Sequence, residues 1–420
     1  MNNSRENLNK TLNHEEPEKI VFDLGGTVVS GISANTLYRL RKKLGLEDKP
    51  VKLYEPFQCL GLIEEDVQRM IGADIIGIRA LYNSFGFRND NWKTWEMPDK
   101  TEVLVGGGFS IKETEEAYYY YPCNDYKCSP SAKMPKRGYY FDPIERQEPL
   151  EGKLLDGKID YKDDFKLFSD EELKYFEKQA KELFENTDYG IIGPMEFFPA
   201  GDIGLIFGVN LQQPKGVRRL EEWLISHYSR PEYIKEILEC GCEVAIKNLQ
   251  LFKEAVGDRV QVVPVSGSDL GGQDSLLFSP DIYREIYKPF HKKVNSWVHK
   301  NTKWKVFFHS CGSIVKLLDD FIDAGVDIIN PVQCSAKDMD PSVLKKKYGK
   351  NLVFWGGAVD PHMLQFENPE AVYNQTKERI KIFSECGGFV CAAVHNIQPN
   401  VPIYNLIAFI EAVENCKRMK

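Results

Sequence analysis

A chain of 420 residues could hold two average domains, but parallel barrels reach this length as one unit, so length alone leaves both open. Hydrophobic content of 42% with 28% charged and 12% aromatic residues excludes a mainly disordered chain and fits a globular enzyme with a large core. A net charge of -8 with no Lys/Arg stripe argues against nucleic-acid or anionic-membrane partners.

The start, MNNSRENLNKTLNHEEPEK, is polar and lacks the apolar core of a secretory signal, and no window approaches the roughly eighteen apolar residues of a spanning helix. A cytoplasmic location is the expectation. The ten cysteines are then expected to be free thiols, because a reducing compartment does not sustain a disulfide framework.

In chain order, eight short β-branched runs end in Gly, Asp, Asn or His and lead into helix-like stretches. They are KIVFDLGG from Lys19, ADIIGIRA from Ala73, YGIIGPMEFF from Tyr189, RVQVVPVSGSD from Arg259, WKVFFHSCGS from Trp304, VDIINPVQC from Val326, LVFWGGAVD from Leu352 and GFVCAAVHNI from Gly388. Near-continuous apolar runs suit parallel strands covered on both faces, so the pattern predicts an α/β fold, a (β/α)8 TIM barrel with an N-terminal extension, formed by residues 1–420 as a single domain. Between the second and third runs, residues 95–145 turn Tyr- and Gly-rich with alternating character, which predicts an inserted β-meander laid over the barrel. DEELKYFEKQAKELFENTDYG then reads as an amphipathic helix. Later helices open on Asp-Pro, Asn-Pro or Ser-Pro, where the side-chain oxygen can cap and Pro fits the first turn.

Parallel barrels do their chemistry where strands end. His309 and Cys311 stand two apart at the end of the fifth run, so both side chains point to one face, as a chelating pair requires. Imidazole and thiolate are zinc-type ligands, and a catalytic zinc takes three protein ligands with one open position. Cys391 or His395, on the last run, completes the set. Cys391 lies four residues earlier, roughly 13 Å deeper at about 3.3 Å per residue, which favours His395 at the level of Cys311. His291 and His299, eight apart on a predicted helix with Lys neighbours, read as solvated. Cys240 and Cys242 read as core packing, and Cys123 with Cys128 lacks histidine partners for a second metal. Asp23, Asp269, Gln273, Asn330, Gln333 and Asp360 also stand at strand ends, where each can orient a ligand, act as a base or cap the next helix. The Gly-Gly pairs at 25, 271, 356 and 387 have no phosphate-loop pattern and read as tight turns.

These segments together resemble the uroporphyrinogen decarboxylase superfamily, which includes corrinoid-dependent methyltransferases. The resemblance rests on RENLNKTLNHEEPEKIVFDLGG, SGSDLGGQDSLLFSPDIYREIYKPFHKK, FFHSCGSI, GVDIINPVQ and FVCAAVHNIQPNVPIYNLIAFIEAV. The decarboxylases of that superfamily carry an arginine-rich first strand and an Asp ending the second. Here the first strand reads FDLGGTVVSG and the second ends at Arg79. The methyltransferase branch shares the HxC half of its zinc signature with His309 and Cys311, and where it usually carries a third Cys this chain reads His395. The resemblance implies a zinc methyltransferase that exchanges a methyl group between a small substrate or thiol and a corrinoid held on a partner protein. Taken with the strand-end positions, the expected ligands are His309, Cys311 and His395, the expected catalytic groups Asp269 and Gln273, and the expected substrate contacts Asp23, Arg79, Asn330 and Asn396. A decarboxylase of porphyrin biosynthesis and a non-catalytic, zinc-bearing partner of a corrinoid protein are the alternatives.

Overall fold

The computed structural model of the protein describes residues 3–194, 197–199 and 201–418; Met195 and Glu196 of the third predicted run lie outside them. Eight parallel strands follow the eight predicted runs: β1 Val21–Phe22, β2 Ile75–Gly77, β3 Gly190–Ile192, β4 Val262–Ser266, β5 Lys305–His309, β6 Ile328–Asn330, β7 Val353–Trp355 and β8 Phe389–Cys391. Their order runs from β2 through β3, β4, β5, β6, β7 and β8 to β1, the cyclic order of a (β/α)8 barrel. The ladder stops between β1 and β2. There the Asp74 amide donates to the Phe22 carbonyl at 2.7 Å, and the Phe22 amide donates to the Asp74 carboxylate at 2.8 Å, so the seam is bridged by loop-end bonds.

Alternation along short strands builds two apolar layers. Val21, Ile75, Ile192, Val262, Phe307, Ile328, Val353 and Val390, one from each strand, form an inner cluster of buried side chains. The intervening residues, among them Phe22, Phe308, Ile329, Phe354 and Cys391, face outward onto the helices. The N-terminal extension is a helix, Ser4–Leu12, opened by an Asn3/Glu6 capping box, and its Leu8 and Leu12 join the inner cluster. Filled in this way, the barrel's inside is a packed core rather than a pore, and truncating Phe307 there would cost about 3–5 kcal/mol.

The Tyr-rich segment is divided between two sheets instead of forming one meander. Ile111–Glu113, Ala117–Tyr120, Ala132–Pro135 and Asp142–Pro143 make an antiparallel sheet, while Lys93–Glu96 and Glu102–Val105 join Val51–Glu55 and Leu60–Gly61 in another. Val51–Glu55 precedes β2 and pairs parallel with Glu102–Val105, a contact between distant segments that local alternation cannot announce. Trp95 of the second sheet meets Tyr118 of the first edge-on at 6.2 Å between ring centroids, and Phe85 stacks on Tyr120 at 3.9 Å.

Capping follows the sequence closely at three helices: Ser279, Asp340 and Asn368 each accept a backbone N–H in the first turn before Pro. Asp360 precedes a Pro in the same way but makes no side-chain cap; its carboxylate accepts from Gln375 Nε2 at 3.1 Å and pairs with Arg379 at 3.5 Å. A second expectation is also corrected. His291 is fully buried rather than solvated, because its helix packs it edge-on to Phe308 of β5 and Phe198.

Candidate metal centre

β5 carries the site. Phe307 points into the barrel core, so His309, two residues later, points to the same side at the mouth. The His309 Nδ1 lies 2.6 Å from Asn330 Oδ1, on the end of β6 directly beside it in register. Asn330 in turn donates its Nδ2 to the Trp355 carbonyl at 2.9 Å, which orients the amide with its oxygen toward the imidazole. His309 therefore carries its proton on Nδ1 and leaves the Nε2 lone pair free. That Nε2 lies 3.5 Å from Cys311 Sγ and 3.7 Å from Asp269 Oδ1.

Cys311 follows the strand end and is held by its own amide, which donates to Asp269 Oδ1 at 2.8 Å. The next residue, Gly312, adopts a φ of +87° against Gly271, a close approach that no side chain would permit. Burial raises the Cys311 thiol well above its ordinary range, and the Asp269 carboxylate adds to the effect. His395 closes the group, its ring 5.6 Å from that of His309. Burial pushes its pKa down to about 4, with a further push from His309. One donor atom from each of His309, Cys311 and His395 lies within 4.8 Å of the others. Two imidazoles and a thiol form a zinc-type donor set at a spacing that fits one ion.

Cys391 stands apart. β8 ends at Cys391, whose side chain faces the outer helical layer with Phe22 and Phe409, while its neighbours Val390 and Ala392 face inward. Strand parity does not carry from Cys391 to His395, because the chain leaves the strand between them. His395, beyond the strand end, joins the group and Cys391 does not.

A cavity of about 790 Å³ opens over the centre, lined by His309, His395, Asp269 and Arg79 among others. Of the remaining residues expected there, Asp23 is buried and accepts from Trp355 Nε1 at 2.8 Å and the Gly26 amide at 2.9 Å. It supports the Trp355 platform on which Asn330 rests, outside the cavity lining. Asn330 itself is buried and spent on His309 and Trp355, so it is a positioning residue and not a substrate contact. Asn396 ties loops, accepting from the Gly31 amide at 2.6 Å and donating to the Val28 carbonyl at 2.8 Å. Gln273 is exposed, donates to the Ser335 carbonyl at 2.5 Å and accepts from Gln333, joining the loops after β4 and β6 away from the cavity. Each has a polar neighbour near in space and far in sequence, which a single strand end does not reveal.

Sequence reasoning missed Tyr54, Glu55 and Ser84 on the cavity wall. The alternating VKLYE run was the available signal for the first two, but nothing in it points toward the barrel mouth.

Fold and site together define a (β/α)8 barrel with a His/Cys/His cluster at the mouth beneath a cavity. Residues 211–416, just under half of the chain, match the family Uroporphyrinogen decarboxylase (URO-D). Uroporphyrinogen decarboxylases of two Coxiella burnetii strains, Dugway 5J108-111 and RSA 493 / Nine Mile phase I, are each 22% identical over 192 residues, covering 45% of this chain and 49% of theirs. The chain thus matches about half the length of these curated relatives. Among solved structures, a methyltransferase from Methanosarcina mazei is similar over 99% of both chains, with a TM-score of 0.56 at 15% identity. Among the described residues, no helix is long and apolar enough to cross a membrane.

Proposed function

We propose that this protein is a zinc-dependent methyltransferase that moves a methyl group between a small methylated substrate or thiol and a corrinoid carried by a partner protein. The observation that carries the reading is the convergence of His309, Cys311 and His395 within 4.8 Å, where His309 and His395 line a cavity of about 790 Å³. Zinc with an open position supplies a Lewis acid, the activation that a thiol acceptor or a methyl ether donor both need. The chain's own residues do the rest. Asn330 orients the His309 ring, and Asp269 anchors the Cys311 backbone beside the imidazole.

The decarboxylase relatives raise the alternative of porphyrinogen decarboxylation, and the wall of the cavity disfavours it. Among its described lining residues the cations are Arg79 and Lys166, against Glu55, Asp163, Asp164, Asp202 and Asp269. A substrate bearing eight carboxylates needs a cationic cradle that this wall does not provide.

Elemental analysis of the purified chain tests the proposal. About one zinc per chain is expected, falling close to zero in Cys311→Ser, together with corrinoid-dependent methyl transfer that disappears in the same variant. Protein free of zinc, and unaffected by Cys311→Ser, would sink the reading.

A further inference from the structure

Arg79, where β2 gives way to its loop, is a cation without a carboxylate partner. It donates one N–H to the Gly25 carbonyl at 2.7 Å and lays its guanidinium over the Tyr54 ring, 4.5 Å from the centroid. No described acid lies within ion-pair distance of it. The other donors of its planar fork remain to be used on the cavity side.

Tyr54 supplies an independent observation. It lines the same cavity, and its buried hydroxyl, beside the Arg79 guanidinium, donates to no described acceptor. A buried phenol with nothing to donate to costs about 1–3 kcal/mol, a cost that a ligand acceptor would relieve. The neighbouring acids do not compete for the fork. Asp164 is taken by Arg218 at 2.7 Å, and Glu55 accepts the Ser84 hydroxyl and the amides of Phe57 and Gln58. Asp163 and Lys166 stand exposed toward solvent.

We propose that Arg79 and Tyr54 form a carboxylate subsite, so that the small substrate reaching the metal centre carries a carboxylate at its far end. This rests on the methyltransferase reading for what happens at the other end of the molecule, while the binding itself does not depend on it. A guanidinium fork binds a planar carboxylate through two parallel hydrogen bonds, and the Tyr54 hydroxyl adds a third donor. Arg79 matched to one carboxylate also fits a cavity wall whose other charged residues are mostly acidic.

Calorimetric titration of the full-length protein with 4-methoxybenzoate and with its neutral counterpart anisole tests the subsite, with zinc content and melting temperature measured on every sample. Wild type is expected to bind 4-methoxybenzoate at least about tenfold more tightly than anisole. Arg79→Gln should abolish that preference and Tyr54→Phe should reduce it by about threefold to tenfold. Tyr54→Phe removes only the hydroxyl, so it keeps the test valid if Arg79→Gln fails to fold. Equal binding of the two probes to wild type, no binding of either at millimolar concentration, or an unchanged preference in Tyr54→Phe overturns the subsite. A preserved preference in protein with no zinc and no methyl transfer supports the subsite and defeats the proposed function alone.

Discussion

Phe308 and His309 are neighbours on β5, and between them they separate two buried imidazoles with opposite fates. Phe308 faces the helices, where it meets His291 edge-on at 4.9 Å; His309 faces the barrel mouth. Both rings are shielded from solvent. His291 is surrounded by Phe198, Phe308, Tyr283 and Tyr287, has Tyr283 Oη at 3.2 Å from its Nδ1, and leaves its Nε2 buried without a partner. Desolvation alone lowers its pKa to about 3. His309 has its Nδ1 committed to Asn330, and its Nε2 looks at a thiol and a carboxylate. Burial is common to both sites. The difference lies in what the free nitrogen faces: hydrocarbon in one case, further donors and an open cavity in the other.

Substitutions can break this contrast. The largest effect is expected at the mouth: His309→Ala should abolish zinc retention in elemental analysis, whereas His291→Phe should leave zinc content at the wild-type value. Equal metal loss in both variants would collapse the distinction. Asn330→Ala comes next, with zinc affinity expected to fall about 10–100-fold in a chelator competition while the fold persists, since the imidazole loses the group that fixes its tautomer.

On the helical side the expected readout is stability. His291→Ala should cost about 2–4 kcal/mol in denaturant unfolding through the cavity it leaves, and His291→Phe much less. The pH dependence has a definite sign. The folded pKa of about 3 lies below the ordinary 6.5, so the unfolded chain binds the extra proton between those values and wild-type stability is lost as pH falls through that window. His291→Phe lacks this proton uptake. Its melting temperature relative to wild type should therefore rise as pH is lowered from about 6.5 toward 4, and a constant difference would show that His291 is not held neutral. The smallest effect is expected for Cys391→Ala, with zinc unchanged and about 1 kcal/mol of stability lost from the outer layer. Zinc loss in that variant would reverse the assignment of His395.

Much of this architecture is legible in the chain itself. Eight β-branched runs became eight barrel strands, because a strand buried on both faces must be almost continuously apolar. The Pro-preceded caps at Ser279, Asp340 and Asn368 are equally local, since cap and amide lie within one turn. His309 and Cys311 stood out because they sit two residues apart at a strand end. The solvated reading of His291 failed because its Lys neighbours describe the outer half of the helix, whereas the ring faces Phe308 on the inner half.

Residue types and local periodicity thus determined the barrel, its strand order of appearance and half of the metal-type cluster, because each depends on neighbours within a few positions. Tertiary structure decided the rest. It brought His395 beside His309 across 86 residues of chain, assigned Asn330 to hold an imidazole rather than a substrate, and set Arg79 over the ring of Tyr54, which lies on a separate sheet. These are pairings of polar groups brought together by the folded chain, and the partner of a polar group is written in distance through space, not in spacing along the chain.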